Sequence, residues 1–205
     1  MPLSPPVSRQ LRHQRVIRAT AYERTDGLWD IDACITDHKS RDVHLSGGVR
    51  PNGLPIHELW LRVTIDRMLN IVAVESSSDW TPYGSECQAA NAAYRSLIGL
   101  NLLQQFRREV KARLSGTIGC THLNELCNIL PTAAIQAFAG DVWKTGESSG
   151  NEQEQGETLQ RPPGDDGDTP PFQLGRCHAL RFDGAVVKQF YPRWYGHAPY
   201  PSRHE

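Results

Sequence analysis

The chain has 205 residues and carries 22 Lys and Arg against 23 Asp and Glu, for a formal net charge of −1 with its eight histidines counted as neutral. A chain so balanced has no long-range positive field to attract nucleic-acid phosphates or anionic lipid, and we expect it to bind neither nucleic acid nor membranes. Apolar residues make up 39%, beside 17 Gly and 14 Pro. This composition is typical of a globular domain with long loops, and it excludes a collagen-like or wholly disordered chain.

The first half of the chain reads as strands. Residues 1–12 are rich in Pro, Ser and Arg, and we expect them to be frayed. Two apolar runs, 15–22 and 28–36, flank a turn that contains Asp26-Gly27, which predicts a β-hairpin. After a predicted loop at 38–55, alternating residues at 59–65 and an apolar run at 69–74 predict a second hairpin. The pattern therefore predicts four antiparallel strands.

From residue 82 the apolar residues recur at helical spacing. One predicted helix contains Cys87 and ends before Gly99, a second covers about 103–114, and a third begins near Cys120. Pro131 is expected to kink or restart the third helix. The fold class is therefore α+β, a mostly antiparallel sheet of hairpins with about three helices on one face.

The last third of the chain changes composition. Residues 144–172 hold almost no apolar side chains, so we expect a disordered acidic and Pro/Gly-rich insertion. Residues 173–205 resume an ordered pattern, and Asp183-Gly184 predicts a closing hairpin followed by an aromatic tail. We expect this segment to complete the same domain as residues 13–143.

Five cysteines indicate a reducing compartment. Their number is odd, they are widely spaced, and the N-terminus has no apolar segment typical of a secretory signal. A cytoplasmic location is therefore expected, without a disulfide framework. The thiols remain free for core packing, metal ligation or thiol chemistry.

Two of these cysteines enter helices after glycine-containing turns. Cys120 follows Gly119 and precedes His122, and Cys87 follows Gly84. The first turn of a helix stabilises a thiolate, the form that binds metals or attacks carbon. Taken singly, each cysteine is better explained as a packing residue, but the two together indicate a site more strongly than either does alone.

The ordered motifs resemble those of a bacterial family catalogued as domain of unknown function 2889. The resemblance covers about residues 10–143 and the closing segment from Cys177 to Trp194, and the motifs that carry it are Thr25-Asp26-Gly27-Leu28-Trp29, Gly53-Leu54-Pro55-Ile56-His57 and Gly119-Cys120-Thr121-His122-Leu123. It implies a cytoplasmic bacterial protein and brings no activity with it.

A more distant resemblance is to iron–sulfur scaffold proteins of the NifU type, which place ligand cysteines before a strand hairpin and at two helix starts. It implies ligand roles for Cys87 and Cys120, with His57 at the position of the first cysteine and His122 beside the last. A mixture of Cys and His suits zinc or a single iron better than a cluster, because cluster ligation is dominated by thiolates.

Three functions follow as hypotheses. The leading one is a metal-handling protein that binds zinc or iron through Cys87, Cys120 and either His57 or His122, with Cys177 or His178 as a further ligand of a tetrahedral site. The second is a metal-free binding or adaptor module that uses the aromatic segment 191–195 and the face of Trp60 to contact a protein or small molecule. The third is a thiol enzyme with Cys120 as nucleophile.

Overall fold

A four-stranded antiparallel sheet is the main element of the computed structural model, which describes residues 3–143, 170–171 and 173–197. The six strands are β1 His13–Glu23, β2 Trp29–Lys39, β3 Val43–Leu45, β4 Gly48–Arg50, β5 His57–Ile65 and β6 Ile71–Trp80. The four-stranded sheet has the order β1-β2-β5-β6, and β3 and β4 form a separate two-stranded sheet. The α+β class and the two predicted hairpins are confirmed.

The small sheet is a difference from the sequence prediction, which expected only a loop at 38–55. Val43 pairs with Arg50, and Leu45 pairs with Gly48. Each strand has only three residues, too few for an alternating pattern to be recognised in the sequence. Gly48 adopts a φ of 120°, a conformation that favours glycine and permits the tight return of the chain.

One face of the four-stranded sheet is apolar because alternate residues of a strand point to the same side. On β2 and β5 these residues are almost fully buried; they are Ile31, Ala33, Ile35, Leu59, Leu61, Val63 and Ile65. The helices contact the sheet on this face: Ser78, opposite Leu59 on β6, donates a hydrogen bond to Asn91 in the 3₁₀ helix Ala90–Leu97.

The helical part begins with a short helix, α1 (Ser85–Ala89), that continues directly into that 3₁₀ helix. Two longer helices follow, α2 (Phe106–Leu114) and α3 (Thr121–Phe138). The predicted restart at Pro131 does not occur, since α3 runs through this residue as one helix.

The chain divides into two compact units, residues 1–136 and 137–205. In the second unit a small apolar cluster contains Leu174, Phe182, Val187 and Trp194.

The prediction of a hairpin at Asp183-Gly184 is wrong. The glycine precedes a helix, α4 (Ala185–Phe190), and its carbonyl accepts a hydrogen bond from the Lys188 amide at 3.0 Å. Residues 173–184 form successive turns, so no extended segment is present there to pair with a second strand.

The predicted insertion at 144–172 lies outside the described residues, apart from 170 and 171. Residues 3–12 are exposed and form no helix or strand. Within the part of the chain that the structure describes, no helix combines the length and the apolar character needed to cross a bilayer.

Candidate functional site

A buried carboxylate lies at the end of the sheet. Asp37 follows Ile31, Ala33 and Ile35 in phase on β2, so its side chain points to the same face as these core residues. The residue is only 3% exposed. A buried charge is strongly destabilising unless it is paired and hydrogen-bonded, so the surroundings of Asp37 determine whether it is tolerated.

Strand β1 supplies the partners of this carboxylate, because Arg15 lies directly opposite Asp37 in the register of β1 and β2. The Arg15 guanidinium donates from Nε to Oδ1 at 2.8 Å and from Nη2 to Oδ2 at 2.9 Å, a bidentate ion pair. His13 Nε2 lies 2.8 Å from Oδ1. Burial alone raises the pKa of Asp37, but the hydrogen bonds from Arg15 and His13 outweigh it and lower the pKa to about 2.

Strand β5 brings the first of two further histidines. His57 is the first residue of β5 and pairs with Asp37 across the sheet. Its Nδ1 lies 3.1 Å from Asp37 Oδ2. The three strands therefore place His13, Arg15 and His57 around one carboxylate.

The turn between α2 and α3 sets the direction in which α3, the helix that carries the second histidine, approaches the sheet. Gly119 is required there because a Cβ at this position would collide with the carbonyl oxygen of Leu114. The Tyr94 hydroxyl accepts a hydrogen bond from the Cys120 amide at 3.0 Å and lies 2.7 Å from Asn124 Oδ1. The Asn124 side chain in turn donates to the Leu114 carbonyl at 2.9 Å. These contacts fix the start of α3 to the end of α2.

His122, in the first turn of α3, completes the cluster. Its Nε2 lies 3.6 Å from Asp37 Oδ2, and its ring centroid lies 4.0 Å from that of His57. One turn further along α3, Glu125 accepts a hydrogen bond from Arg15 Nη1 at 2.9 Å. Arg15 thus links the sheet to the helix that carries His122.

Both histidines are held toward their neutral form. Burial lowers the pKa of His57, and the neighbouring His122 lowers it further. Burial also lowers the pKa of His122, with the positive charge of Arg15 adding to the effect. The neutral imidazole is the form that ligates metals, so the local environment favours ligation at neutral pH.

The cluster has the spacing of a metal site. Ligand atoms of Asp37, His57 and His122 all lie within 4.8 Å of one another. A tetrahedral zinc ion with bonds of roughly 2.0–2.1 Å separates its nitrogen and oxygen ligands by about 3.3 Å. The two distances to Asp37 Oδ2, 3.1 Å and 3.6 Å, lie on either side of this value.

The structure separates the sequence-predicted ligands. His57 and His122 lie together, and Cys120 Sγ lies 3.8 Å from His122 Nδ1, on the side of the ring away from Asp37. Cys87, in α1, is half-buried and does not belong to this group of close ligands. Cys177 is an exposed residue of the second unit.

Sequence reasoning missed the central residue. None of Asp37, His13 and Arg15 was among the candidate ligands. A signal was present, since Asp37 continues the buried alternation of β2 at the next in-phase position. A carboxylate that continues a buried stripe requires polar partners, and the hairpin register supplies Arg15 as one of them.

Comparison with known proteins identifies one family. A family model described as a protein of unknown function (DUF2889) matches residues 13–136, which include every residue of the cluster. No curated protein and no solved structure matches the chain.

Removing the Tyr94 hydroxyl is expected to loosen the start of α3. Burial raises the pKa of Tyr94, so the hydroxyl remains protonated and both donates and accepts hydrogen bonds. Tyr94→Phe leaves the Cys120 amide without this acceptor, and we expect a loss of about 1–3 kcal/mol in the free energy of unfolding. Urea denaturation measures the loss, and hydrogen exchange should accelerate at residues 120–124.

The matched control is Tyr83→Phe, because the Tyr83 side chain is 66% exposed. It should change stability by less than about 0.5 kcal/mol. Equal effects of the two substitutions would contradict the positioning role assigned to Tyr94.

Proposed function

Because the chain belongs to the DUF2889 family, whose description assigns no activity, we propose its function from the site itself: Asp37, His57 and His122 bind one divalent transition-metal ion, zinc or iron(II). The observation that carries the proposal is the convergence of one carboxylate oxygen and two imidazole nitrogens at ligand spacing.

The donor set selects the class of metal. Imidazole nitrogen suits zinc, iron, copper and nickel, whereas magnesium and calcium prefer sites made of oxygen. Two histidines and one carboxylate are also the ligand set of non-haem iron(II) sites with open coordination positions. The three ligands are nitrogen and oxygen donors, so the proposal is a single ion rather than an iron–sulfur cluster, which requires thiolates.

The charges of the cluster favour a cation. Asp37 and Glu125 contribute two negative charges against the one positive charge of Arg15, with His57 and His122 held toward their neutral forms. His13, beside Asp37, adds a positive charge only when it is protonated. In the metal-free protein the His57 ring nitrogen hydrogen-bonds to Asp37 at 3.1 Å. A metal ion at Nδ1 takes the place of the proton between these two atoms, and the neutral imidazole then carries its one proton on Nε2. Binding weakens at low pH, where protons compete for the imidazole nitrogens.

Three protein ligands leave at least one position for water or a substrate. Catalytic zinc sites have this arrangement, while structural zinc sites use four protein ligands. The site therefore supports a role in metal transfer or metal-assisted catalysis. The five free cysteines support our proposal that the protein works in a reducing compartment, the cytoplasm.

Metal titration of the full chain tests the proposal. After treatment with a chelator, the protein should bind one equivalent of zinc, or of iron(II) under anaerobic conditions, in isothermal titration calorimetry. His57→Ala and His122→Ala should each weaken zinc binding by about 100-fold or more, because each removes one of three ligands. Binding should also raise the melting temperature, since only the folded chain holds the three ligands together.

His44→Ala is the matched control, because His44 is exposed on β3 outside the cluster. The affinity of the His44→Ala variant for zinc should equal that of the wild type. The proposal would be contradicted if the wild type bound no stoichiometric zinc, or if the His57→Ala and His122→Ala variants bound zinc as tightly as the wild type.

A second function is favoured by one specific contact. Cys120 Sγ lies 3.8 Å from His122 Nδ1, and His122 Nε2 lies 3.6 Å from Asp37 Oδ2. This is the order of nucleophile, base and orienting group in thiol enzymes, and such contacts are often longer in the absence of substrate. The same histidine then serves as a base instead of a metal ligand.

Alkylation kinetics distinguish the two functions. For a thiol enzyme, iodoacetamide should modify the half-buried Cys120 faster than the exposed Cys177, and His122→Ala should reduce the Cys120 rate by about tenfold or more. For a metal site alone, the rates should follow exposure, with Cys177 faster. Peptide mapping by mass spectrometry assigns each rate, and half-buried Cys87, also at a helix start, is the internal control.

A further inference from the structure

The outer edge of β1 presents backbone groups with which another strand can pair. β1 is an end strand of the sheet and has eleven residues, and no described strand pairs with its outer side. Val16, Ile17 and Tyr22 are each at least 40% exposed. Its pairing with β2 is regular throughout, without a bulge. Bulges, prolines and lysines, which protect edge strands, are absent from β1, and its charged residues are limited to Arg15, Arg18 and Glu23.

The opposite edge of the sheet is covered. Near the start of β6, the Ile71 amide donates to the Leu100 carbonyl and the Ile71 carbonyl accepts from the Gly99 amide, both at 2.8 Å. Toward its end, the Gln88 side chain lies against the Ser78 carbonyl. The pairing of β5 and β6 also contains register shifts. The contrast identifies β1 as the edge that is available to a partner.

The hairpin fixes which backbone groups of β1 point outward. The Arg24 amide donates to the Leu28 carbonyl across the hairpin, so even-numbered residues of β1 direct their backbone groups toward β2. The odd-numbered residues, Arg15 to Glu23, direct their amides and carbonyls away from the sheet. Ala19 is at the centre of this row.

We propose that two copies of the chain associate through antiparallel pairing of their β1 strands, with the two-fold axis at Ala19. This register sets Arg15 opposite Glu23, Val16 opposite Tyr22 and Arg18 opposite Thr20. The Val16–Tyr22 pair sets a β-branched residue against an aromatic one, a combination that stabilises neighbouring strands. The Arg15 guanidinium is already paired with Asp37 and Glu125, so its new neighbour Glu23 adds little. Moving the axis by one residue toward the N-terminus would set the two Arg18 side chains against each other, which is destabilising.

The pairing forms about ten new backbone hydrogen bonds between residues 15 and 23 of the two copies. The result is a continuous sheet of eight strands, in which a two-fold axis perpendicular to the sheet places the helices of both copies on the same face. The inference does not depend on metal binding, since no metal ligand takes part in the pairing.

The test is the oligomeric state of the full chain over a wide range of concentration, measured by sedimentation velocity and light scattering. The wild type should reach twice the chain mass. Ala19→Pro should convert it to a monomer without harming the fold, because the Ala19 amide points away from β2. Ile17→Lys should do the same, since a lysine on an edge strand opposes pairing.

The matched control is Val72→Lys on β6, because Val72 is 43% exposed and Ile17 is 40% exposed. It should remain a dimer, and circular dichroism should show the same fold for all variants. A second measurement tests the register: a mixture of Val16→Cys and Tyr22→Cys chains should form a disulfide-linked dimer that neither variant forms alone. A wild type that is monomeric at all concentrations, or a dimer that survives Ile17→Lys and Ala19→Pro, would overturn the proposal.

Discussion

The ion pair of Asp37 and Arg15 is the interaction on which the rest of the site depends. A carboxylate at the end of an apolar face loses its hydration, and the effective penalty is several kcal/mol unless other groups replace the water. Arg15 replaces it with two parallel hydrogen bonds, and His13 and His57 add two more. A carboxylate oxygen pair accepts about four hydrogen bonds, so Asp37 is fully satisfied and its orientation is fixed.

The same arginine joins the sheet to α3. Two of its nitrogens hold Asp37, and the third holds Glu125 on the helix. Tyr94 holds the start of that helix through Cys120 and Asn124, and Asn124 in turn bonds to the Leu114 carbonyl of α2. His122 is therefore positioned by contacts to three different parts of the chain. Rigid support of this kind is what a metal site or an acid–base pair needs, because loss of about 1 Å of precision reduces function sharply.

Much of the fold was predictable, because it follows from local patterns. The alternation in β2 and β5 and the Asp26-Gly27 turn predicted the hairpins, and helical spacing after residue 82 predicted the helices. The prediction failed where local signals were short or ambiguous. Three-residue strands such as Val43–Leu45 have too little pattern, and Asp183-Gly184 precedes a helix because the residues before it form turns rather than a strand.

For the site, the sequence determined which residues begin each element: Gly119 forces the turn before α3, and the positions of His57 and His122 at the start of a strand and of a helix follow from the chain itself. The tertiary structure decided that these residues meet around Asp37. It also decided that Cys120 faces the far side of the His122 ring, while Cys87 stays outside the cluster. The physical reason is that local patterns encode periodicity and turns, whereas the approach of α3 to the end of the sheet arises from packing between segments distant in the chain.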